Sequence, residues 1–98
     1  MTKKSKTTLA THAILKPNQN FGIPNPPVYH ASTILKTNLD DYRNHVGQYD
    51  YGRLGTPTSE ATETAVAQLY GCDDIVAVPS GLAAISIGIL SAVKAGDQ

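Results

Sequence analysis

The sequence predicts an α/β fold that continues beyond this chain. Its second half has the order helix, short apolar strand, tight turn, helix, which is how an α/β sandwich begins. Its first half is irregular and rich in proline, and its last helix is apolar nearly all round. We therefore expect a larger parent structure to surround these elements.

Composition excludes several kinds of partner. The 98 residues include 41% apolar side chains and only eight lysines and arginines, and the net charge is zero. Such a chain has no electrostatic footprint for nucleic acid or an anionic membrane. The longest apolar stretch, residues 82–93, is about a dozen residues long, whereas a membrane span needs roughly 20. No signal peptide follows the basic N-terminus, so we expect a cytoplasmic protein.

Residues 1–53 are predicted to form an extended N-terminal arm. They show no sustained helical or strand period, and the sequence PNPP at residues 24–27 enforces an extended path. Two short helices are predicted within the arm, one over residues 9–15 and one that is capped by Asn38 and stops at Gly47. Long irregular segments usually contact something outside their own domain. We therefore expect the arm to contact a neighbouring subunit.

A longer helix opens the second region, residues 54–98. It is expected to begin near Pro57, with Thr58 or Ser59 as its N-cap. Gly71 supplies a left-handed stop.

A strand and a final helix follow. The apolar run at residues 75–78 fits a strand that is buried on both faces. The turn at residues 79–81 leads to a helix from Leu82 to about Lys94, which must be covered on several sides because it is apolar all round. One strand cannot form a sheet, so the missing elements are expected from a longer parent fold. A small domain that completes its core by dimerising is the alternative.

The turn before this last helix has the features of an anion site. The first amides of a helix favour an anion, and a glycine lets a phosphate approach the backbone. Gly81 and Leu82 would be backbone donors, whereas Ser80 either contacts the anion or caps the helix, and spacing alone favours the cap. The motif lacks the patterns of ATP- and NAD-binding loops.

Tyr51 and Arg53 form a second candidate group. An arginine presents a planar fork of donors that matches phosphate oxygens, and a tyrosine adds one directional hydroxyl. Taken alone, the pair is interpreted more simply as an exposed arginine and a packing tyrosine.

The order and spacing of the motifs are more specific than any motif alone. NPPVYHAST (residues 25–33), YGRLGTPTS (51–59), PSGLAAI (79–85) and KAGD (94–97) follow one another with a helix, a strand and a helix between them. This combination resembles the Cys/Met-metabolism family of enzymes that use pyridoxal phosphate (PLP), over residues 11–98. YGRLGTPTS is closer to the cystathionine β-lyase branch than to the synthase and γ-lyase branches, where YSRxxNPT is more usual.

This resemblance implies a fold and a role for each candidate residue. The fold would be the type I, aspartate-aminotransferase-like one, and residues 54–98 would begin its PLP-binding large domain. Tyr51 and Arg53 would reach the cofactor phosphate of a neighbouring subunit, while the amides of Gly81 and Leu82, with Ser80 beside them, would hold the phosphate in their own subunit.

The implied reaction is β-elimination of cystathionine to homocysteine, pyruvate and ammonia. In the family, the Schiff-base lysine and the residues for the pyridine nitrogen, the cofactor ring and the substrate carboxylate lie beyond the position of Gln98. Lys94 is no substitute, because a cation near a helix C-terminus has a structural explanation. We therefore expect the chain alone to be inactive, and to work in a homo-oligomer or with the downstream half of a split enzyme. A non-catalytic assembly module and the γ-synthase or γ-lyase reactions remain alternatives.

No metal or thiol chemistry is predicted. His12, His30 and His45 lack the spacing of a helical metal pair. Cys72 is lone, which excludes an internal disulfide, and it is expected to be a small packing residue.

Overall fold

Short helices joined by irregular segments make up the chain. The computed structural model describes residues 3–98, and within them the α-helices are α1 (Lys6–His12), α2 (Leu39–Arg43), α3 (Pro57–Tyr70) and α4 (Gly81–Ala92), with a 3₁₀ helix at Pro17–Gln19. No helix in this described part is long and apolar enough to cross a membrane.

The two short helices of the arm form close to their predicted positions. α1 starts three residues before the predicted helix, because the hydroxyl of Ser5 accepts the amide of Thr8 at 3.2 Å and caps the helix there. In α2, the predicted cap is confirmed, since the Asn38 side chain accepts an amide of the first turn at 2.9 Å. α2 ends before Gly47 because His45 adopts the left-handed region, with φ of +51°.

α3 begins with a reciprocal pair of hydrogen bonds. The Thr56 hydroxyl accepts the amide of Ser59 at 3.3 Å, and the Ser59 hydroxyl accepts the amide of Thr56 at 2.9 Å. The prediction of Thr58 or Ser59 as the cap was therefore wrong, because Pro57 is suited to the first helical position and places the cap one residue earlier. Gly71 ends α3 as predicted, with φ of +72°.

The arm lies against α3. Among the described residues, α1 and α3 are the only helices that contact each other. The hydroxyl of Thr58 donates to the carbonyl of Pro27 at 3.0 Å and accepts the amide of Tyr29 at 2.8 Å. The extended PNPP segment is thereby tied to the first turn of α3.

The predicted strand at residues 75–78 does not form, and the prediction of an α/β arrangement is not realised within residues 3–98. The amide of Ala77 instead donates to the Glu63 carboxylate at 2.8 Å. A strand needs a neighbour to satisfy its backbone, and the described residues contain only an isolated antiparallel bridge between Thr33 and Tyr51.

α4 follows the turn as predicted but remains uncovered. It ends two residues before Lys94, because Val93 is extended. Leu82 is 75% exposed and Leu90 is 71% exposed, which agrees with the expectation that other structure covers this helix.

The surface area and the radius of gyration also indicate that much apolar surface is uncovered. Its accessible surface is 8535 Å², whereas a compact monomer of this mass exposes about 5400 Å². The radius of gyration is 17.3 Å, against about 13 Å for a compact domain of this length. The apolar surface of these residues is therefore far from buried within the chain.

Candidate cofactor-binding site

Tyr51 begins a tight turn, residues 51–55, that leads directly into α3. The Tyr51 carbonyl accepts the amides of Leu54 at 2.9 Å and Gly55 at 3.1 Å. The next residue is the buried cap Thr56, which is only 7% exposed. This turn, called the Tyr51 turn below, is therefore fixed to α3 on its C-terminal side.

The other side of the turn is fixed to the segment 31–33. Tyr51 forms the antiparallel bridge to Thr33, and the amide of Gly52 donates to the Ser32 carbonyl at 2.7 Å. A Cβ atom on Gly52 would lie 1.8 Å from the carbonyl oxygen of Ala31. Only glycine fits here, because no side chain tolerates that approach.

The side chains of Tyr51 and Arg53 are available to a ligand. Tyr51 is 39% exposed and Arg53 is exposed as well. Within residues 3–98, neither side chain forms a hydrogen bond or an ion pair. A phenol and a guanidinium without partners on a fixed turn are suited to binding phosphate oxygens.

A lysine that the sequence analysis did not single out holds the loop before this turn. The Lys36 ammonium donates to the carbonyls of Val46 at 2.7 Å and Tyr49 at 2.9 Å, and it pairs with the Asp50 carboxylate at 2.6 Å. The hydrogen bond from Lys36 lowers the pKa of Asp50, against the opposing effect of burial. His45 lies 3.2 Å from the second oxygen of the same carboxylate. No local pattern signals this contact, because Lys36 is 10 to 14 residues from its partners.

A second set of contacts ties the loop to α3. The Tyr49 hydroxyl donates to the Glu60 carboxylate, which also accepts the side-chain amide of Gln48 at 3.0 Å. The hydrogen bond to Glu60, helped by burial and by the charge of Glu60, raises the pKa of Tyr49, since all three favour the neutral phenol.

Two cavities adjoin these contacts, but neither contains the predicted site residues. One, of about 320 Å³, lies between residues 48–50 and the start of α3. The other, of about 470 Å³, lies between α1, the PNPP segment and α3. None of Tyr51, Arg53, Ser80, Gly81 and Leu82 lines either cavity.

The start of α4 has the donors that a phosphate requires. Among the described residues, the amides of Gly81 and Leu82 have no acceptor. A Cβ atom on Gly81 would meet nothing within 4 Å, and Gly81 and Leu82 are both exposed. Ser80 is the N-cap, since its hydroxyl accepts the amide of Ala83 at 3.1 Å. That hydroxyl still has a proton to donate. The two amides and the hydroxyl are therefore a set of donors suited to a phosphate.

The described residues contain no metal-ligand cluster. Cys72 is exposed and donates through its sulfur to the Ala67 carbonyl at 3.7 Å. Its predicted packing role is therefore not realised within residues 3–98.

Comparison with known proteins identifies the family of this chain. Residues 7–98, which include the Tyr51 turn and the start of α4, match the family of Cys/Met metabolism PLP-dependent enzymes. The chain belongs to that family. PLP is accordingly its cofactor.

Most of the similar proteins are named for reactions of cystathionine, and one is named as an amino-acid racemase. A protein of Rhizobium johnstonii with a provisional cystathionine β-lyase name is 43% identical over 93% of this chain, and a cystathionine β-lyase of Bacillus subtilis is 37% identical over 85%. An L-alanine/L-glutamate racemase of Wolbachia pipientis is 37% identical over 83%. Cystathionine γ-synthases are also similar, at 31% to 32% identity.

The chain spans only about a fifth to a quarter of the length of these relatives. It covers 23% of the Rhizobium protein, 20% of the Bacillus protein and 24% of the Wolbachia protein. Relatives named for different reactions share this portion of sequence.

Proposed function

We propose that the chain is the N-terminal segment of a PLP-dependent C–S lyase whose reaction is β-elimination of cystathionine to homocysteine, pyruvate and ammonia. Its own contribution is to bind the cofactor phosphate, and it does not provide the lysine that holds the cofactor. The observation that carries this proposal is the presence of two groups of unpaired donors, on the Tyr51 turn and at the start of α4, in a chain of a PLP-dependent family.

The two groups are proposed to serve different active sites. They line no common cavity in the described residues, and α4 contacts none of the other helices there. Gly81, Leu82 and Ser80 bind the phosphate in their own subunit. Tyr51 and Arg53, at the end of the arm, bind it in a neighbouring subunit, so that the working enzyme is a homo-oligomer.

PLP supplies the electron-withdrawing ring that makes removal of the substrate α-proton possible. The residues of this chain do not move that proton. Their hydrogen bonds hold the phosphate in place, and a phosphate fixed by Arg53 and by the amides of α4 orients the cofactor relative to the substrate.

The β-lyase reaction is favoured by the sequence of the turn. YGRLGTPTS has the form typical of the β-lyase branch. The identities do not separate the branches, since the β-lyases of Bacillus subtilis and Haemophilus influenzae are 37% and 32% identical and the γ-synthases are 31% to 32% identical. The γ-synthase reaction is the second candidate because γ-synthases are among the similar proteins, at 31% to 32% identity. A cytoplasmic location accompanies either proposal.

The test combines the purified chain with the product of the reading frame downstream. PLP is added, and the visible absorbance of bound cofactor is followed together with pyruvate release from cystathionine. We expect both signals only in the mixture. The same mixture is assayed with O-acylated homoserine and cysteine, so that cystathionine formation without pyruvate release would favour the γ-synthase reaction.

The matched control is the same mixture with Arg53→Ala. It should bind PLP more weakly by about tenfold to a hundredfold, since a hydrogen bond to a charged group contributes about 1.5–3 kcal/mol. Bound cofactor without turnover of either substrate would contradict the lyase proposal and favour a non-catalytic assembly module.

A further inference from the structure

The Lys36 ammonium uses all of its donors within the chain, close to the candidate site. Its side chain is only 10% exposed. An ammonium has three donors, and here each has one acceptor: the carbonyl of Val46, the carbonyl of Tyr49 and the carboxylate of Asp50. A surface ion pair would leave such donors to water, whereas this cation is enclosed by the loop.

The loop is shaped to admit this cation. Gly47 has φ of +116°, and a Cβ atom there would lie 3.1 Å from the Lys36 nitrogen. The backbone at residues 46–50 therefore curves around the ammonium. Asp50, the last residue of the loop, directly precedes Tyr51.

Lys36 and the Tyr51 turn are held by the same segment of chain. Residues 31–33 contact the turn through the Ser32 to Gly52 hydrogen bond and the Thr33 to Tyr51 bridge. Lys36 lies three residues further along and fixes the loop that enters the turn. The backbone of Tyr51 is therefore anchored both before the turn and within it.

We infer that Lys36 is a positioning residue for phosphate binding, which acts through the backbone of loop 46–50 to place Tyr51 and Arg53. This inference rests on the proposed function, since it requires that the two side chains bind the cofactor phosphate. It adds a residue outside the phosphate-binding groups, one that touches neither cofactor nor substrate.

The experiment measures binding of PLP and of pyridoxal, which lacks the phosphate, to the complete enzyme. The readout is the ratio of the two affinities, because only phosphate contacts change it. Lys36→Met, which nearly keeps the length of the side chain but removes its charge, should lower this ratio about tenfold, which is the effect of losing one hydrogen bond to a charged group. Pyridoxal binding should stay unchanged.

Three further variants separate the possible causes. Lys6→Met, at an exposed position of α1, should leave the ratio unchanged. Asp50→Asn removes only the charge of one acceptor and should lower the ratio less than Lys36→Met does. It tests the same loop if Lys36→Met folds poorly. In an Arg53→Ala background, Lys36→Met should have a smaller effect than it has alone, because the residue it positions is gone.

The outcomes distinguish the inference from the proposed function. If Arg53→Ala lowers the ratio but neither Lys36→Met nor Asp50→Asn does, the positioning role is overturned while the phosphate contact stands. Equal loss of PLP and pyridoxal binding in both loop variants would also overturn it, since that pattern indicates general destabilisation. An unchanged ratio in Arg53→Ala would overturn the phosphate contact and, with it, the role of Lys36.

Discussion

Replacing Gly52 with alanine is expected to move the Tyr51 turn. The new Cβ atom would lie 1.8 Å from the Ala31 carbonyl oxygen and 2.6 Å from its carbon, and the obstacle is backbone rather than a flexible side chain. The two segments must therefore separate until the first distance reaches at least 3.0 Å. A shift of roughly 1 Å takes the Gly52 to Ser32 hydrogen bond from 2.7 Å to beyond the normal range.

The size of the effect follows from the contacts that are lost. The hydrogen bond to Ser32 belongs to the Thr33 to Tyr51 bridge and contributes about 0.5–1.5 kcal/mol, so the variant should lose about 1 kcal/mol or more of stability. Arg53 is the next residue and moves with the backbone. If this movement breaks the contact of Arg53 with the phosphate, a hydrogen bond to a charged group of about 1.5–3 kcal/mol is lost, and we expect PLP affinity to fall by about tenfold to a hundredfold.

The assay is a PLP titration of the complete enzyme, together with urea unfolding. Gly71→Ala is the control, because a left-handed alanine costs about 1–2 kcal/mol and nothing lies within 4 Å of its Cβ position. It should lose comparable stability and keep its PLP affinity. Unchanged affinity in Gly52→Ala, or equal loss in both variants, would refute the reasoning.

Three other predictions concern the cap of α3, the contact of Asp50 with Lys36, and the exposure of α4. Thr56→Ala should destabilise the protein to urea by about 1 kcal/mol, the usual cost of losing a helix N-cap, whereas Thr56→Ser keeps the hydroxyl and should cost less. The Asp50 carboxyl should titrate below its ordinary pKa of 3.8 in an NMR titration. The contribution of this carboxylate to stability is then present above pH 3.8 and is lost as the pH falls through the lower pKa of the folded state. Isolated residues 1–98 should bind a hydrophobic dye and unfold without a sharp transition, because α4 is exposed.

The contrary results are equally specific. Equal stability of Thr56→Ala and the unmodified protein would show that the cap is not needed. An Asp50 carboxyl that titrates at its ordinary pKa, or one unaffected by Lys36→Met, would contradict the contact with Lys36. A sharp, cooperative melt of monomeric residues 1–98 would contradict the need for cover over α4.

Features that depend on neighbouring residues were predicted from the sequence with small errors. Asn38, Ser80 and Gly71 were recognised as helix boundaries, because a cap is a contact between a side chain or glycine and amides within four residues. The cap of α3 was misplaced by at least two residues, because Pro57 favours the first helical position and the cap therefore falls on Thr56.

Features that depend on distant residues were not predictable in this way. The run at residues 75–78 has the composition of a strand, yet it forms none here because a strand is completed only by a neighbour. The same limitation applies to Lys36, whose three acceptors lie 10 to 14 residues away, and to the close approach of Gly52 to Ala31.

The sequence by itself determined the family, the cofactor and the residue types suited to its phosphate, because the motifs and their order are properties of the chain. The tertiary structure alone decided that the turn carrying Tyr51 and Arg53 is anchored from three directions, by residues 31–33, by Lys36 and by the start of α3. Anchoring requires segments that are remote in sequence to meet in space, and no local pattern records which of them do.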